Sequence, residues 1–233
     1  MTKKILLAVV SCLILLSAVM LVRTARFTSR QVSVEPAPQV AVDEAKAAAN
    51  LAQSLRFQTV SHSDAAQSSR DAFLALHAFL ERTYPKVHSA LTRETVGDYS
   101  LLYTWKGREE GLKPVVLLAH TDVVPVEPGT EASWAYPPFE GRVADEFVWG
   151  RGAWDDKAGV VGILEAVEML LGEGFQPRRT VYLAFGHDEE LGGPRGAVKI
   201  VELLQSRGVA PEFVLDEGGA ITEGLVPGVG SPV

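Results

Sequence analysis

The run Val115-Val116-Leu117-Leu118-Ala119-His120-Thr121-Asp122 constrains the fold more than any other part of the chain. A short uncharged stretch of β-formers reads as a strand buried on both faces, which calls for helices above and below its sheet. It ends in His120-x-Asp122, so an imidazole and a carboxylate leave the sheet together. In open α/β sheets the carboxyl ends of the strands are where sites are built.

The pattern around this strand supports the same architecture. Residues 43–56 are alanine-rich with Leu51 and Leu55 at helical spacing, and 69–84 place Phe73, Leu76 and Leu80 on one helical face. Residues 86–96 and 99–105 read as strands around a Gly97-Asp98 turn. A helix is expected over 158–171, a strand over 180–185, a helix over 197–206 and a strand over 213–215. Strands alternating with helices predict an α/β three-layer sandwich with a mixed, mainly parallel sheet. No internal repeat is visible.

Upstream of residue 43 the sequence changes character. Lys3 and Lys4 precede an apolar run from Ile5 to Val22, and Arg23, Arg26 and Arg30 follow. A span of about 20 residues crosses a typical bilayer, so 1–27 reads as a membrane anchor or signal segment. The first alternative leaves the catalytic domain extracytoplasmic and membrane-anchored, and the second leaves it secreted or periplasmic after cleavage. Basic residues on both sides leave the orientation open. Residues 28–42, polar and carrying Pro36 and Pro38, read as a linker, and 43–233 as the folded domain. The formal net charge of −7 lacks the basic excess of a nucleic-acid binder, so no nucleic-acid partner is expected. With Cys12 as its single cysteine, inside the apolar run, the chain builds neither an intrachain disulfide nor a cysteine-based zinc site.

Three polar clusters fall beside the expected elements. Gly150-Arg-Gly-Ala-Trp154-Asp155-Asp156-Lys157 is a glycine-rich turn opening onto a helix; it lacks the Gly-Lys-Ser/Thr ending of a phosphate loop. Asp155 or Asp156 could simply cap that helix. Gly186-His187-Asp188-Glu189-Glu190 follows one strand and Asp216-Glu217 follows another. Carboxylates and an imidazole crowded at one sheet edge repel unless a cation joins them, and a divalent metal resolves the conflict. His62, His77 and His88 lie outside these clusters, and His187 reads as a packing neighbour of the acids. Trp134, Pro137, Pro138 and Phe139 form either a wall of the route to the site or a proline-stiffened loop. Arg151 and Lys157 read as structural partners of the nearby carboxylates.

Taken together, the motifs Leu-Leu-Ala-His120-Thr-Asp122-Val-Val-Pro, Trp134…Pro137-Pro138-Phe139, Gly150-Arg-Gly-Ala-Trp-Asp155-Asp-Lys157, Gly186-His-Asp-Glu189-Glu190 and Asp216-Glu-Gly-Gly resemble carboxypeptidase S and the N-acyl-aromatic-amino-acid hydrolases. These belong to the zinc-dependent aminoacylase, acetylornithine deacetylase and succinyl-diaminopimelate desuccinylase superfamily. The resemblance implies two Zn2+ ions. His120 and Asp216 would bind the first, Glu190 the second, and Asp155 would bridge both; Glu217 is the alternative to Asp216, and Asp156 to Asp155. Glu189 would be the general base and Asp122 the carboxylate that orients His120. Co2+ or Mn2+ would accept the same ligand set.

The activity implied is hydrolysis of the amide bond in N-acyl amino acids, or of a C-terminal peptide bond. The family also has a lid or dimerisation domain and a later zinc-binding histidine, whereas no histidine follows His187 here. The expectation is therefore a truncated catalytic domain, weak or inactive by itself. The alternative is a membrane-tethered metal-binding or interaction protein without catalysis. Acyl or peptide preference and oligomerisation would depend on the lid, and the sequence leaves both open.

Overall fold

The computed structural model describes residues 2–28, 34–35, 40–64 and 69–219. Much of the expected linker, with Pro36 and Pro38, and everything after 219 lie outside them. The chain divides into two compact units, Met1–Val42 and Asp43–Val233. The first holds helix α1 (Thr2–Ala25), apolar on every side and, at 24 residues, long enough to cross a membrane.

The second unit runs α2 (Glu44–Ser54), α3 (Arg70–Thr83), α4 (Pro85–Ala90), β1 (Thr92–Val96), β2 (Ser100–Trp105), β3 (Val115–His120), β4 (Arg142–Ala144), β5 (Phe147–Trp149), α5 (Lys157–Gly172), β6 (Val181–Gly186), α6 (Ala197–Ser206) and β7 (Phe213–Leu215). Five strands form one sheet in the order β1-β2-β6-β3-β7. β3 pairs in parallel with β6 and β7, while β2 is antiparallel to both β1 and β6. The sheet is therefore mixed, with its parallel part around β3.

Side chains alternate between two cores with the period of two that strands impose. Leu101, Tyr103 and Trp105 of β2, Ala119 of β3 and Leu183 and Phe185 of β6 face α3, α4 and α5. Leu102, Val116 and Ala184 take the opposite face, against Ile200 and Leu204 of α6. Fully burying a large apolar side chain contributes roughly 1.5–3 kcal/mol, so the larger cluster fixes the sheet against α5. Helices on both faces make the three layers.

Two local assignments differ from the sequence reading. Residues 86–90, expected in a strand, are helical: Pro85 occupies the first turn, and the Glu168 carboxylate accepts the N–H groups of Lys86 (3.2 Å) and Val87 (2.9 Å). A carboxylate from α5, 80 residues away in sequence terms, supplies what local pattern could not show. The hairpin β4–β5 was not anticipated; it turns through Asp145 (φ 52°) and Glu146 (φ 65°), residue types that tolerate the left-handed region.

Gly141, entering that hairpin, has φ 61°, and a Cβ there would overlap the Ala52 carbonyl of α2. Both the conformation and the close approach require glycine. Gly141→Ala is expected to cost about 1–3 kcal/mol in urea unfolding. An unchanged midpoint would show that the hairpin is free to move off α2.

Candidate metal centre

The carboxyl ends of the parallel strands supply the site. Crossover helix α5 covers one face of the sheet and α6 the other, while β6 and β7 flank β3 on either side. This arrangement opens a crevice at the end of β3. His120 closes β3 opposite Gly186 at the end of β6, and Thr121 fastens the two ends by donating from its N–H and its hydroxyl to the Gly186 carbonyl, both at 2.8 Å.

His120 is 1% exposed and forms the floor of the crevice. Its Nδ1 lies 3.2 Å from Asp122 Oδ1, and its Nε2 lies 2.7 Å from Asp155 Oδ1. The Glu189 and Glu217 carboxylates approach the same Nε2 to 3.9 and 3.8 Å. Asp155, Glu189 and Glu217 are partly open to solvent, with side chains 55%, 52% and 38% exposed. A buried imidazole is thus ringed by accessible carboxylates.

Asp122 does more than face the histidine ring. It is fully buried, and its two oxygens accept the backbone N–H groups of Glu189 (3.1 Å) and Glu190 (3.2 Å). One carboxylate therefore fixes both the ring at the end of β3 and the acidic turn after β6. Asp188, also fully buried, holds that turn from beneath by accepting the Arg195 N–H at 2.8 Å.

The adjacent acids 155 and 156 occupy different environments. Asp155 meets His120, whereas Asp156 caps α5 by accepting from Gly159 N (3.0 Å) and also accepts from His120 N (3.3 Å). The peptide bond between them is cis. Lys157 is buried and donates to the carbonyls of Ser54 (3.1 Å) and Phe57 (2.6 Å), tying the turn to the end of α2. Asp156 and Lys157 were read only as a possible cap and a structural partner; their distant backbone contacts left no mark in local sequence.

Charge states follow from this packing. Burial alone would lower the His120 pKa, but hydrogen bonding and charge from Asp122, together with Asp155, raise it to about 10. Asp122 is held below its ordinary value despite its burial, chiefly through the hydrogen bond with His120. Burial lifts Asp156 to about 6 and raises both Glu189 and Glu190, while it lowers Lys157 to about 7.

Two sets of donor atoms lie within 4.8 Å of one another: His120, Asp155 and Glu190 in one, and His120, Glu189 and Glu217 in the other. An imidazole nitrogen with its second nitrogen against a carboxylate, surrounded by carboxylate oxygens, is a donor set that fits zinc. Asp216 belongs to neither set; its Oδ1 accepts the neighbouring Glu217 N–H at 3.0 Å. Successive residues leaving a strand point to opposite sides, so only one of this pair can face His120. His187 lies outside both sets as well, with Nδ1 2.7 Å from Ser100 Oγ and its ring edge-on to Phe73 and Tyr99.

Comparison with known proteins agrees with this geometry. Residues 116–230 match the model of peptidase family M20/M25/M40. The chain is 42% identical over 224 residues to the probable carboxypeptidase S-like 2 of Dictyostelium discoideum, covering 92% of this chain and 43% of that one. It is 44% identical over 181 residues to the N-fatty-acyl-amino acid synthase/hydrolase PM20D1 of Xenopus tropicalis, covering 77% and 35%. With carboxypeptidase S of Saccharomyces cerevisiae the identity is 43% over 157 residues, covering 65% and 27%. The chain thus spans less than half the length of these relatives. Among solved structures, the M20 family metallo-carboxypeptidase Sso-CP2 from Sulfolobus solfataricus shares the fold at a TM-score of 0.58 and 20% identity, over 75% of this chain and 38% of that one. The di-peptidase Dug1p from Saccharomyces cerevisiae does so at 0.60 and 17%, over 77% and 40%. A histidine at the end of β3, carboxylates converging on it and these matches together make the chain a member of peptidase family M20/M25/M40.

Proposed function

We propose that this protein hydrolyses amide bonds, in N-acyl amino acids or at the C-terminus of peptides, at a centre for two divalent cations, zinc in the first instance. The observation that carries the reading is the convergence of Asp155, Glu189, Glu190 and Glu217 on the buried His120. The names of the relatives, carboxypeptidase S and N-fatty-acyl-amino acid synthase/hydrolase, supply the bond type.

Each residue takes a part that its surroundings suit. His120 Nε2, Asp155 and Glu190 would hold one ion, with Asp155 shared with a second. The sequence motif favoured Asp216 for the remaining carboxylate, and the geometry favours Glu217. Bound zinc supplies Lewis acidity that polarises the scissile carbonyl and acidifies the attacking water. Glu189, whose pKa is raised by burial and by neighbouring acids, accepts the proton from that water and delivers it to the leaving nitrogen. Asp122 keeps the His120 ring and the 189–190 backbone in register throughout. We also propose that residues 1–27 tether the domain to a membrane through 28–42, with 43–233 on the extracytoplasmic side; cleavage after the apolar helix would release it instead.

Calorimetric zinc titration tests the centre. His120→Ala is expected to abolish tight uptake, and Glu217→Ala to weaken it at least tenfold, with Asp216→Ala within about twofold of the parent. The reverse order for the two acids would return the ligand role to Asp216. Zinc uptake indifferent to His120 would overturn the reading.

A further inference from the structure

An apolar groove of about 510 Å3 adjoins the metal centre, between the loop at 133–136, strand β5 and the turn that carries Asp155. Trp134, Tyr136, Trp149, Ala153 and Trp154 line it, and no charged side chain does. Its aromatic wall is built rather than accidental. Tyr136 and Phe147 pack edge-on against Trp149 with centroids 5.5 and 5.8 Å apart, Arg142 covers Tyr136 at 5.7 Å, and Arg151 covers Trp134 at 5.3 Å. The polar edge of Trp149 is already used, donating to the Ala144 carbonyl at 2.9 Å.

Trp154 is the exception in this wall. It is 90% exposed and makes none of the ring contacts found among the described residues. It is also the residue immediately before Asp155, whose carboxylate touches His120. Consecutive Cα atoms are about 3.8 Å apart, so an indole left in water stands at the lip of the reacting centre. An exposed indole beside a ready-made apolar groove costs solvation until something apolar lies across it.

We propose that this groove, with Trp154 as its lip, is the subsite for the acyl half of the amide substrate and that Trp154 sets preference for long or aromatic acyl groups. The assignment to the acyl half follows from charge. In an N-acyl amino acid the carboxylate belongs to the other half, and the groove offers that carboxylate no counter-charge, whereas an uncharged acyl chain loses nothing there. Trp134 and Tyr136, held under their arginines, form the far wall, and Trp154 folds over the chain nearest the scissile bond. This inference rests on the amide-hydrolase reading for its choice of ligand but makes a separate demand on binding.

Equilibrium dialysis of the 233-residue chain with N-acetyl-, N-butanoyl-, N-hexanoyl- and N-octanoylglycine tests it, in one detergent for all variants. Each added pair of methylenes is expected to tighten binding roughly 4- to 15-fold, the range for half to full burial. Trp154→Ala should flatten the series to under about twofold per pair, and Trp154→Phe should restore most of the slope. Parallel series in the parent and Trp154→Ala overturn the proposal. So does a change of oligomeric state in Trp154→Ala with the slope intact, which would make the patch a contact between copies of the chain. Hydrolysis of N-acetyl substrates is read separately with zinc-loaded protein. A chain-length slope without hydrolysis keeps the subsite and sinks the amidase reading, and hydrolysis without a slope does the opposite.

Discussion

Glu189→Gln is expected to slow amide hydrolysis about 10²- to 10⁴-fold while leaving zinc uptake within twofold of the parent. Glutamine matches the shape of the carboxylate but cannot accept the proton. Glu189 is placed for that role because its side chain is 52% exposed and sits 3.9 Å from His120 Nε2, too far for a hydrogen bond and near enough to reach a water at the same ions. Burial and the acids around it raise its pKa, which brings its basicity closer to neutral pH. Steady-state kinetics with parallel calorimetry reads both quantities. A fall in zinc affinity equal to the fall in rate would make Glu189 a ligand, as its membership of the His120–Glu189–Glu217 set also allows, and would move the base elsewhere.

Asp122→Ala should have the largest effect on the fold of the site. It strips a partner from the His120 ring and from two backbone N–H groups, all around a fully buried position. Leaving such groups unpaired costs about 3–5 kcal/mol, and loss of the carboxylate behind a metal-binding histidine lowers metal affinity about 10- to 100-fold. The metal-free protein adds a pH signature. The His120 pKa is raised to about 10, so its share of the stability is complete below about 6.5 and disappears as pH rises through 10. The Asp122 pKa is lowered, so its share is complete above about 3.9 and disappears as pH falls below that. The gap between parent and Asp122→Ala in urea unfolding is therefore expected to be widest between about pH 4 and 6.5. A gap that is flat with pH would mean that the pair contributes packing rather than charge.

Much of this architecture is written in local pattern. The uncharged run 115–119 announces a strand buried on both faces, and the helices over 157–172 and 197–206 follow their apolar spacing. Motif spacing likewise brings out His120, Asp122, Asp155, Glu189 and Glu190. What local pattern cannot carry is any choice made by a distant group. Residues 86–90 turn helical because Glu168 caps them, and the roles of 155 and 156 separate because His120 presents a ring to one and a backbone N–H to the other. The 216–217 pair shows the same limit: either acid satisfies the motif, and only the side of the sheet facing His120 distinguishes them. The exposed Trp154 left no periodic signal, because a single residue in a turn has none.

The parallel pairing of β3 also has a cost in time. Thr121 is joined to Gly186, 65 residues further along the chain, so β3 cannot acquire its first parallel neighbour until β6 has been made. At about 5–20 residues per second of synthesis, that wait lasts roughly 3–13 s. During it an apolar strand has two unpaired edges, the condition under which nascent chains associate with one another. The central position that lets β3 carry the histidine to the middle of the site makes it the strand most dependent on protection while the polypeptide is being made.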